Sequence, residues 1–326
     1  MLGSVHDAED AVQETLIRAW RGAAGLRTGN SARAWLYAIA TNVCLTEIER
    51  RRKRVLPHDF GPAVDGHVPP GRPIAESAWV EPFPDAEAGV GNAKASAEAR
   101  YEQQESVELA FVAAVQNLGA NQRAVLMLRD VLGFSAHESA QMLSTSVASV
   151  NSALQRARET ISTKGPARSQ QATLRALGEA EVHSLVARYV QAWERCDVEA
   201  FAALLTRDAS FAMPPLSTWY SPKTAVLDWA REYALNAQWK WKAEVTRANG
   251  QPALGFYAWD DAAGAYLPFA LNVLSLRDGL VSDVTAFIVR AIEAEEPEAY
   301  VRFPEQPMHR DLGDMFDRFA LPGRLN

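Results

Sequence analysis

Apolar residues recur with a helical period through the first half of the chain and change to alternating and continuous runs in the second. Ser4, with Asp7 three residues on, resembles a capping box, and Val12, Leu16 and Trp20 then recur every fourth residue. This predicts a first helix that leaves Asp7, Asp10, Gln13 and Glu14 as acidic surface. The stretch Gly25 to Ser31 breaks the pattern. A second helix follows, with Leu36, Ile39, Ala40 and Val43 on one side. Farther on, Val107, Phe111 and Val115 share a helical face, a break falls at Gly119, and another helix is expected over 121–132. After Gly133 two short helices are expected, over 135–143 and 147–161. Helical stretches over 179–194 and 198–205 then give way to strands near 240–248, 252–260, 265–276 and 280–290. Asn249-Gly250 and Asp278-Gly279 lie between these apolar runs and suit type I′ hairpins, whose central residues both need positive φ.

Prolines divide these elements. Seven of the 17 lie between Pro57 and Pro84, in a Gly- and Asp-rich stretch that reads as a linker. A shorter break falls at Gly165-Pro166 and the polar run Arg168 to Gln171. The expected organisation is a helical block over 1–54, a linker over 55–100, a helical block over 101–164, a linker over 165–178 and an α+β domain over 179–326.

Composition narrows the class. With 48% hydrophobic residues the chain can bury packed cores, and no run approaches the roughly 18–20 apolar residues of a membrane helix. The acidic N-terminal stretch is not a signal peptide, and two cysteines, Cys44 and Cys196, exclude a disulfide scaffold or Cys-rich zinc site. A cytoplasmic protein without metal or cofactor is expected. The net charge of −7 hides a segregation: 33–54 holds six basic and two acidic residues, and 291–326 holds eight acidic and four basic. Such asymmetry points to a nucleic-acid surface on one part and other partners elsewhere.

The two short helices joined by Ser144-Thr145-Ser146 have helix-turn-helix spacing. In the second, Val147, Val150, Leu154, Ala157 and Ile161 fall on one face. Ser146, a plausible N-cap, and Ser149, Asn151, Ser152, Gln155, Arg156 and Arg158 fall elsewhere, without an acid before Glu159. A plain αα-hairpin would share the periodicity. An acid-free polar face able to reach phosphates and base edges favours DNA. Arg33, Trp35, Tyr37, Asn42, Arg50, Arg51, Arg52, Lys53 and Arg54 are a second candidate surface. Charge with interleaved aromatics suits a partly melted duplex, and five consecutive cations exceed what a helix dipole needs.

The α+β domain carries a heavy aromatic load. Met213, Trp219, Tyr220, Trp229, Phe256 and Tyr266 are candidate pocket residues, with a domain filled by its own core as the alternative. His183, Asp208 and Asp228 are the available acid/base groups, but no pair has diagnostic spacing, so an enzyme is not expected.

Two stretches carry a family resemblance. VHDAEDAVQETLIRAW followed by SARAWLYAIATNVCLTEIERRRKR resembles the second conserved region of bacterial extracytoplasmic-function sigma factors, and NQRAVLMLRDVLGFSAHESAQMLSTSVASVNSALQRARE resembles their fourth. The tail from Glu179 to Leu325 resembles the SnoaL-like branch of the NTF2-like cone fold, which a subgroup of these factors carries, and WVEPFPD resembles that subgroup's linker. The resemblance implies two all-α sigma domains, a region 2 bundle and a region 4 helix-turn-helix, followed by an α+β cone. It implies core RNA polymerase and promoter DNA as partners. Asp7, Asp10, Gln13, Glu14 and Arg18 would dock on the polymerase. The loop from Arg27 to Ala32, Trp35 and the helix through Asn42 to Arg54 would melt and read the upstream-ten element, and the helix-turn-helix would read the upstream-thirty-five element. The cone would modulate activity through the sigma domains or polymerase, with Asp311, Asp314, Asp317 and the closing segment Met315 to Leu325 touching the basic helix. Rival readings are a free-standing helix-turn-helix regulator and a cyclase- or isomerase-like enzyme. The family's second region normally starts some tens of residues earlier, so an upstream start or an exposed apolar face is expected here. Ser144 stands where the family usually has Gly, and positive φ there would cost about 1 kcal/mol.

Overall fold

The computed structural model describes residues 1–23, 31–71, 79–87, 105, 107–164, 169–289 and 312–326. The chain forms two compact units, Met1–Val55 with Ala95–Ala167, and Leu56–Lys94 with Arg168–Asn326.

The described part of the first unit is helical. Helix α1, Val5–Gly22, starts where the Ser4 hydroxyl accepts the Asp7 amide, and α2, Ala32–Arg50, starts where Ser31 accepts that of Ala34. The burial of α1 differs from the periodic expectation. Val5, Asp7, Ala11 and Thr15 face inward, whereas Val12, Leu16, Ile17 and Trp20 are 58%, 56%, 45% and 85% exposed. Asp7 can lie inside because Arg51 and Arg54 of the basic run close on its carboxylate, the latter at 2.6 Å. Helix α3, Leu109–Val115, precedes α4, Ala120–Leu126, which continues as a wider π turn over Met127–Val131. Arg123 is buried between them. Its guanidinium donates to the carbonyls of Met1 (2.7 Å), Gln116 (3.0 Å) and Leu118 (3.3 Å) and to Gln116 Oε1 (2.8 Å). Burial lowers its pKa to about 10, so it stays charged at neutral pH, as those acceptors require. Helices α5, Ala136–Met142, and α6, Val147–Lys164, complete the unit.

The second unit is built on one six-stranded sheet of order β2-β1-β6-β5-β4-β3. Its strands are β1 Leu205–Ala212, β2 Trp219–Tyr220, β3 Trp241–Ala248, β4 Gln251–Asp260, β5 Ala265–Arg277 and β6 Leu280–Ile288. All neighbours are antiparallel except β1 with β6. The two hairpins expected from Asn-Gly and Asp-Gly form, with positive φ at Asn249, Gly250, Asp278 and Gly279. Helices α7 Gln170–Leu177, α8 Glu179–Glu194, α9 Val198–Ala203 and α10 Lys223–Trp229 belong to this unit. The inner face of the sheet buries Phe211, Leu254, Phe256, Leu274 and Val284 against Leu185, Tyr189 and Trp193 of α8.

The stretch read as a second linker contains α7. Gln170 and Gln171 are buried because their amides pair with sheet backbone: Gln170 exchanges two hydrogen bonds with Leu276, and Gln171 donates to the Gly250 carbonyl at 2.6 Å. The closing segment is committed to the sheet of its own unit. Helix α11, Leu312–Arg318, sets Phe316 edge-on to Tyr257, and the Tyr257 hydroxyl donates to the Pro322 carbonyl at 2.8 Å. Gly255 lets this segment approach, since a Cβ there would lie 2.6 Å from Leu321 Cδ1. Phe316, Phe319 and Leu321 give this segment, expected to touch the basic helix, an apolar grip on the sheet. Asp311 lies outside the described residues.

The Pro-rich stretch also packs on the second unit in its described parts. The Val64 amide donates to the Trp219 carbonyl, Tyr220 donates to the Val68 carbonyl, and the Gly71 amide donates to Thr218 Oγ1. Downstream, Phe83 and Asn249 exchange two hydrogen bonds, and Asp85 accepts from Arg247 and the Gly250 amide. This stretch lacks periodicity because it satisfies its backbone on another element's edge and turn.

Candidate nucleic-acid interface and an aromatic cavity

Helix α5 opens with a reciprocal capping box between Ser135 and Glu138, and α6 is capped by Ser146, whose Oγ accepts the Ser149 amide at 3.1 Å. The intervening turn is closed by Ser144 in the left-handed region, φ 51°. Val150, Ala153, Leu154 and Ala157 hold α6 to the rest of the unit. Val147, expected on this face, is 39% exposed at the first turn. Ser146, Ser149, Asn151, Ser152, Gln155, Arg156 and Arg158 are all exposed. Arg156 donates to Ser152 Oγ at 2.6 Å, and Arg158 forks onto Asp130 at 2.7 and 2.9 Å. The result is a capped helix projecting hydroxyls, amides and guanidiniums.

The second candidate surface is divided. Asn42, Arg50, Arg51, Arg52 and Lys53 are exposed, and Arg54 is largely covered by its ion pair with Asp7. Lys53 donates to Asn117 Oδ1 at 2.7 Å. Arg33 donates to the Leu132 carbonyl at 2.8 Å and lies 4.4 Å over the Phe134 ring, which also meets Tyr37 edge-on. Trp35 is half-buried, near Gly22. The loop residues 27–30 lie outside the described residues. On α1, Asp10, Gln13 and Arg18 are exposed, with Arg18 paired to Glu14 at 2.6 Å, while Asp7 is turned inward.

In the sheet unit, Trp193, Phe211, Trp229, Trp239, Trp241 and Phe256 wall a cavity of about 50 Å³. Met213 also lines it, so three of the six residues expected at a pocket (Met213, Trp229 and Phe256) meet there. The others serve elsewhere. Trp219 stacks near His58 and donates to the Gly61 carbonyl, Tyr220 holds Val68, and Tyr266 pairs with Leu325 at the sheet edge. Trp193, on the core face of α8, was missed; Trp239 and Trp241, two residues apart and stacked at 4.8 Å, share a face and belong to the aromatic load expected to line a pocket. The acid/base candidates lie apart from the cavity lining. His183 is exposed, Asp228 pairs with Arg231 at 3.2 Å, and Asp208 pairs with Arg277, which holds its carboxyl below the usual range. Among the described residues no cluster of His, Cys, Asp and Glu could hold a metal, and no helix is long and apolar enough to cross a membrane.

A capped helix-turn-helix beside a cationic helix defines a DNA-binding transcription protein. Residues 1–54 match Sigma-70 region 2 and residues 108–161 match Sigma-70 region 4. The chain is 41% identical over 292 residues to the ECF RNA polymerase sigma factor SigG of Mycobacterium tuberculosis, covering 88% of this chain and 76% of that relative. It is 28% identical over 152 residues to SigM of the same species, covering 47% and 61%. The crystal structure of the Mycobacterium tuberculosis extracytoplasmic-function sigma factor SigJ superposes with a TM-score of 0.55 at 20% identity, covering 88% of this chain and 89% of that one, a likeness of fold. The chain belongs to the extracytoplasmic-function (ECF) sigma factor family, with helical regions 2 and 4 followed by an α+β sheet domain. It is therefore a subunit that binds core RNA polymerase and directs it to promoters.

Proposed function

We propose that the NTF2-like domain modulates this sigma factor by holding the segment that joins its two promoter-reading regions. The observation that carries this reading is the set of bonds from Val64, Val68, Gly71, Phe83 and Asp85 to the sheet unit. Regions 2 and 4 act as linked binding modules, and their joint occupancy depends on the length of free chain between them. Each residue released adds up to about 3.5 Å of reach. Docking on the sheet shortens that free length, and release restores it.

Within the sigma regions, Ser149, Asn151, Ser152, Gln155, Arg156 and Arg158 of α6, with Ser146, read the upstream duplex element through base edges and phosphates. The cations Arg50, Arg51, Arg52, Lys53 and Arg54, with Arg33, Trp35, Tyr37 and Asn42, hold the melted element. Asp10, Gln13, Glu14 and Arg18 meet the polymerase, and Asp7 joins them only if Arg51 and Arg54 release it. The test is run-off transcription with core RNA polymerase, comparing the chain with a Gly66→Ala/Tyr220→Phe double variant. A Cβ at Gly66 would collide with the Ala225 carbonyl and lie 2.6 Å from Asp228 Cβ, so this variant loosens the docked segment. Promoter-dependent output should rise severalfold; equal or lower output overturns the proposal.

A further inference from the structure

The polar side chains of α6 are not equivalent, and the turn of the helix and their own bonds sort them. Successive residues turn by about 100° around a helix axis. With Val150, Ala153, Leu154 and Ala157 facing the core, Ala148, Asn151, Ser152 and Gln155 lie along the opposite line, all exposed. Glu159, the next residue on that line, is an acid and ends the strip that can approach DNA. Arg156 and Arg158 stand about 160° apart, one on each flank of the line. Both guanidiniums are engaged, Arg156 with Ser152 Oγ at 2.6 Å and Arg158 with the Asp130 carboxylate at 2.7 and 2.9 Å. Ser146 and Ser149 are committed to the cap: Ser146 Oγ accepts the Ser149 amide and its hydroxyl donates to Ser149 Oγ, both at 3.1 Å. Asn151 and Gln155 differ from all of these. Among the described residues neither carboxamide has a partner.

We propose that Asn151 and Gln155 read two adenines in the upstream duplex, while Arg156 and Arg158 grip phosphates of the two strands that wall the groove. The inference rests on α6 being the helix that enters the major groove. A carboxamide carries a donor and an acceptor side by side. Adenine presents the matching pair, the N7 acceptor and the N6 amino donor, on its major-groove edge. A guanidinium has donors only and would match guanine, but Arg156 and Arg158 point to the flanks, where the DNA groups within reach are phosphates. Four residues of helix advance about 6 Å, and successive base pairs rise about 3.4 Å. The two adenines therefore fall within about two base steps of each other.

The test is selection of duplexes by the holoenzyme, formed from the full chain and core RNA polymerase, out of a library randomised across both promoter elements. The upstream element recovered should contain two adenines about one or two base steps apart. Asn151→Ala should cut the adenine preference about fivefold or more at one of these positions, and Gln155→Ala at the other, with the remaining positions unchanged. Asn151→Arg should move its position from adenine to guanine, a gain that a misfolded variant would not produce. Arg156→Ala and Arg158→Ala should leave the selected sequence as it is, and each should reduce the salt slope of duplex binding by about one. The proposal is overturned if no adenines are selected there, if the Asn151 and Gln155 variants keep the original preferences, or if either arginine variant relaxes a position. A selection without any upstream preference, indifferent to every α6 substitution, overturns the placement of α6 in the groove and the proposal with it.

Discussion

The Tyr220 hydroxyl donates a 2.8 Å hydrogen bond to the Val68 carbonyl, which commits the buried end of the short strand β2 to the segment joining the sigma regions. Tyr220→Phe keeps the ring and leaves that carbonyl without its donor, a loss of about 1 kcal/mol. The consequence should be local. Amide exchange at Val64, bonded to the Trp219 carbonyl, and at Gly71, bonded to Thr218, should accelerate about fivefold. Exchange in β4 and β5 should not change. Equal acceleration across the sheet would show that Tyr220 supports the whole domain and not the docked segment.

Docking should also depend on pH through His67 and Glu232, whose side chains meet at 3.1 Å. The hydrogen bond to Glu232 raises the His67 pKa, aided by Asp65 and Asp228, and the same bond lowers that of Glu232. A raised histidine pKa gives a contribution fully present below about pH 6.5 and lost as pH rises through the docked value. A lowered Glu pKa gives one present above about pH 4.5 and lost as pH falls through its docked value. The pair therefore helps most between these limits. Protection factors at Val64 and Gly71 should show the His67 contribution as the difference between the chain and Glu232→Gln. That difference should shrink above pH 7, and a difference constant from pH 5 to 8 would remove the pair from docking.

Much of the architecture was legible because it rests on local signals. The four later strands and their hairpins follow from alternating runs around Asn249-Gly250 and Asp278-Gly279, and α5 and α6 from the break at Gly133, the short spacing between the helices and the cap at Ser146. What the pattern hid depends on distant partners. Strand β1 has the parallel neighbour β6 and no hairpin to announce it. The Pro-rich stretch and α7 are held by backbone groups more than 75 residues away, as in Gln171 to Gly250. Asp7 read as surface because acids usually are; its burial requires Arg51 and Arg54, placed there by the fold. The face of α6 was legible because an amphipathic helix declares both sides at once, whereas the cavity draws its indoles from α8, α10, β3 and the turn before β3.

The turn before α6 gives a stability prediction. Ser144 holds φ 51°, where a Cβ crowds the following carbonyl. Ser144→Gly removes that strain but gives the unfolded chain more freedom. The net gain should be a few tenths to about 1 kcal/mol, read as a higher midpoint in urea unfolding with unchanged slope. The exposed α6 residues keep their positions, so promoter-dependent transcription should stay within twofold. A lower midpoint would mean that Ser144 makes a stabilising contact outweighing its backbone conformation.

On the proposed roles of Arg33 and Tyr37, the contact between regions 2 and 4 imposes a step before DNA is read. Arg33 and Tyr37, proposed to hold the melted element, are engaged by Phe134 immediately before α5: Arg33 Cζ lies 4.4 Å from the ring centroid, and the Tyr37 ring lies at 5.5 Å. Leu128, Phe134 and Met142 form an apolar cluster there, packed with Ala34, Tyr37 and Ala38 of α2. Neither Arg33 nor Tyr37 can stack on an unpaired base while it covers this ring, so the surfaces must part. Ala38→Cys and Met142→Cys, both in this cluster, in a chain whose Cys44 and Cys196 are replaced by Ser, can be joined by a short bis-maleimide. The joined protein should lose at least tenfold in promoter-dependent run-off transcription, while the same variant left unjoined retains its output. Both native thiols have pKa values raised by burial, which limits background reaction in a chain that keeps them. If the joined protein transcribes as well as the unjoined one, Arg33 and Tyr37 read no DNA and the closed contact is compatible with the promoter complex.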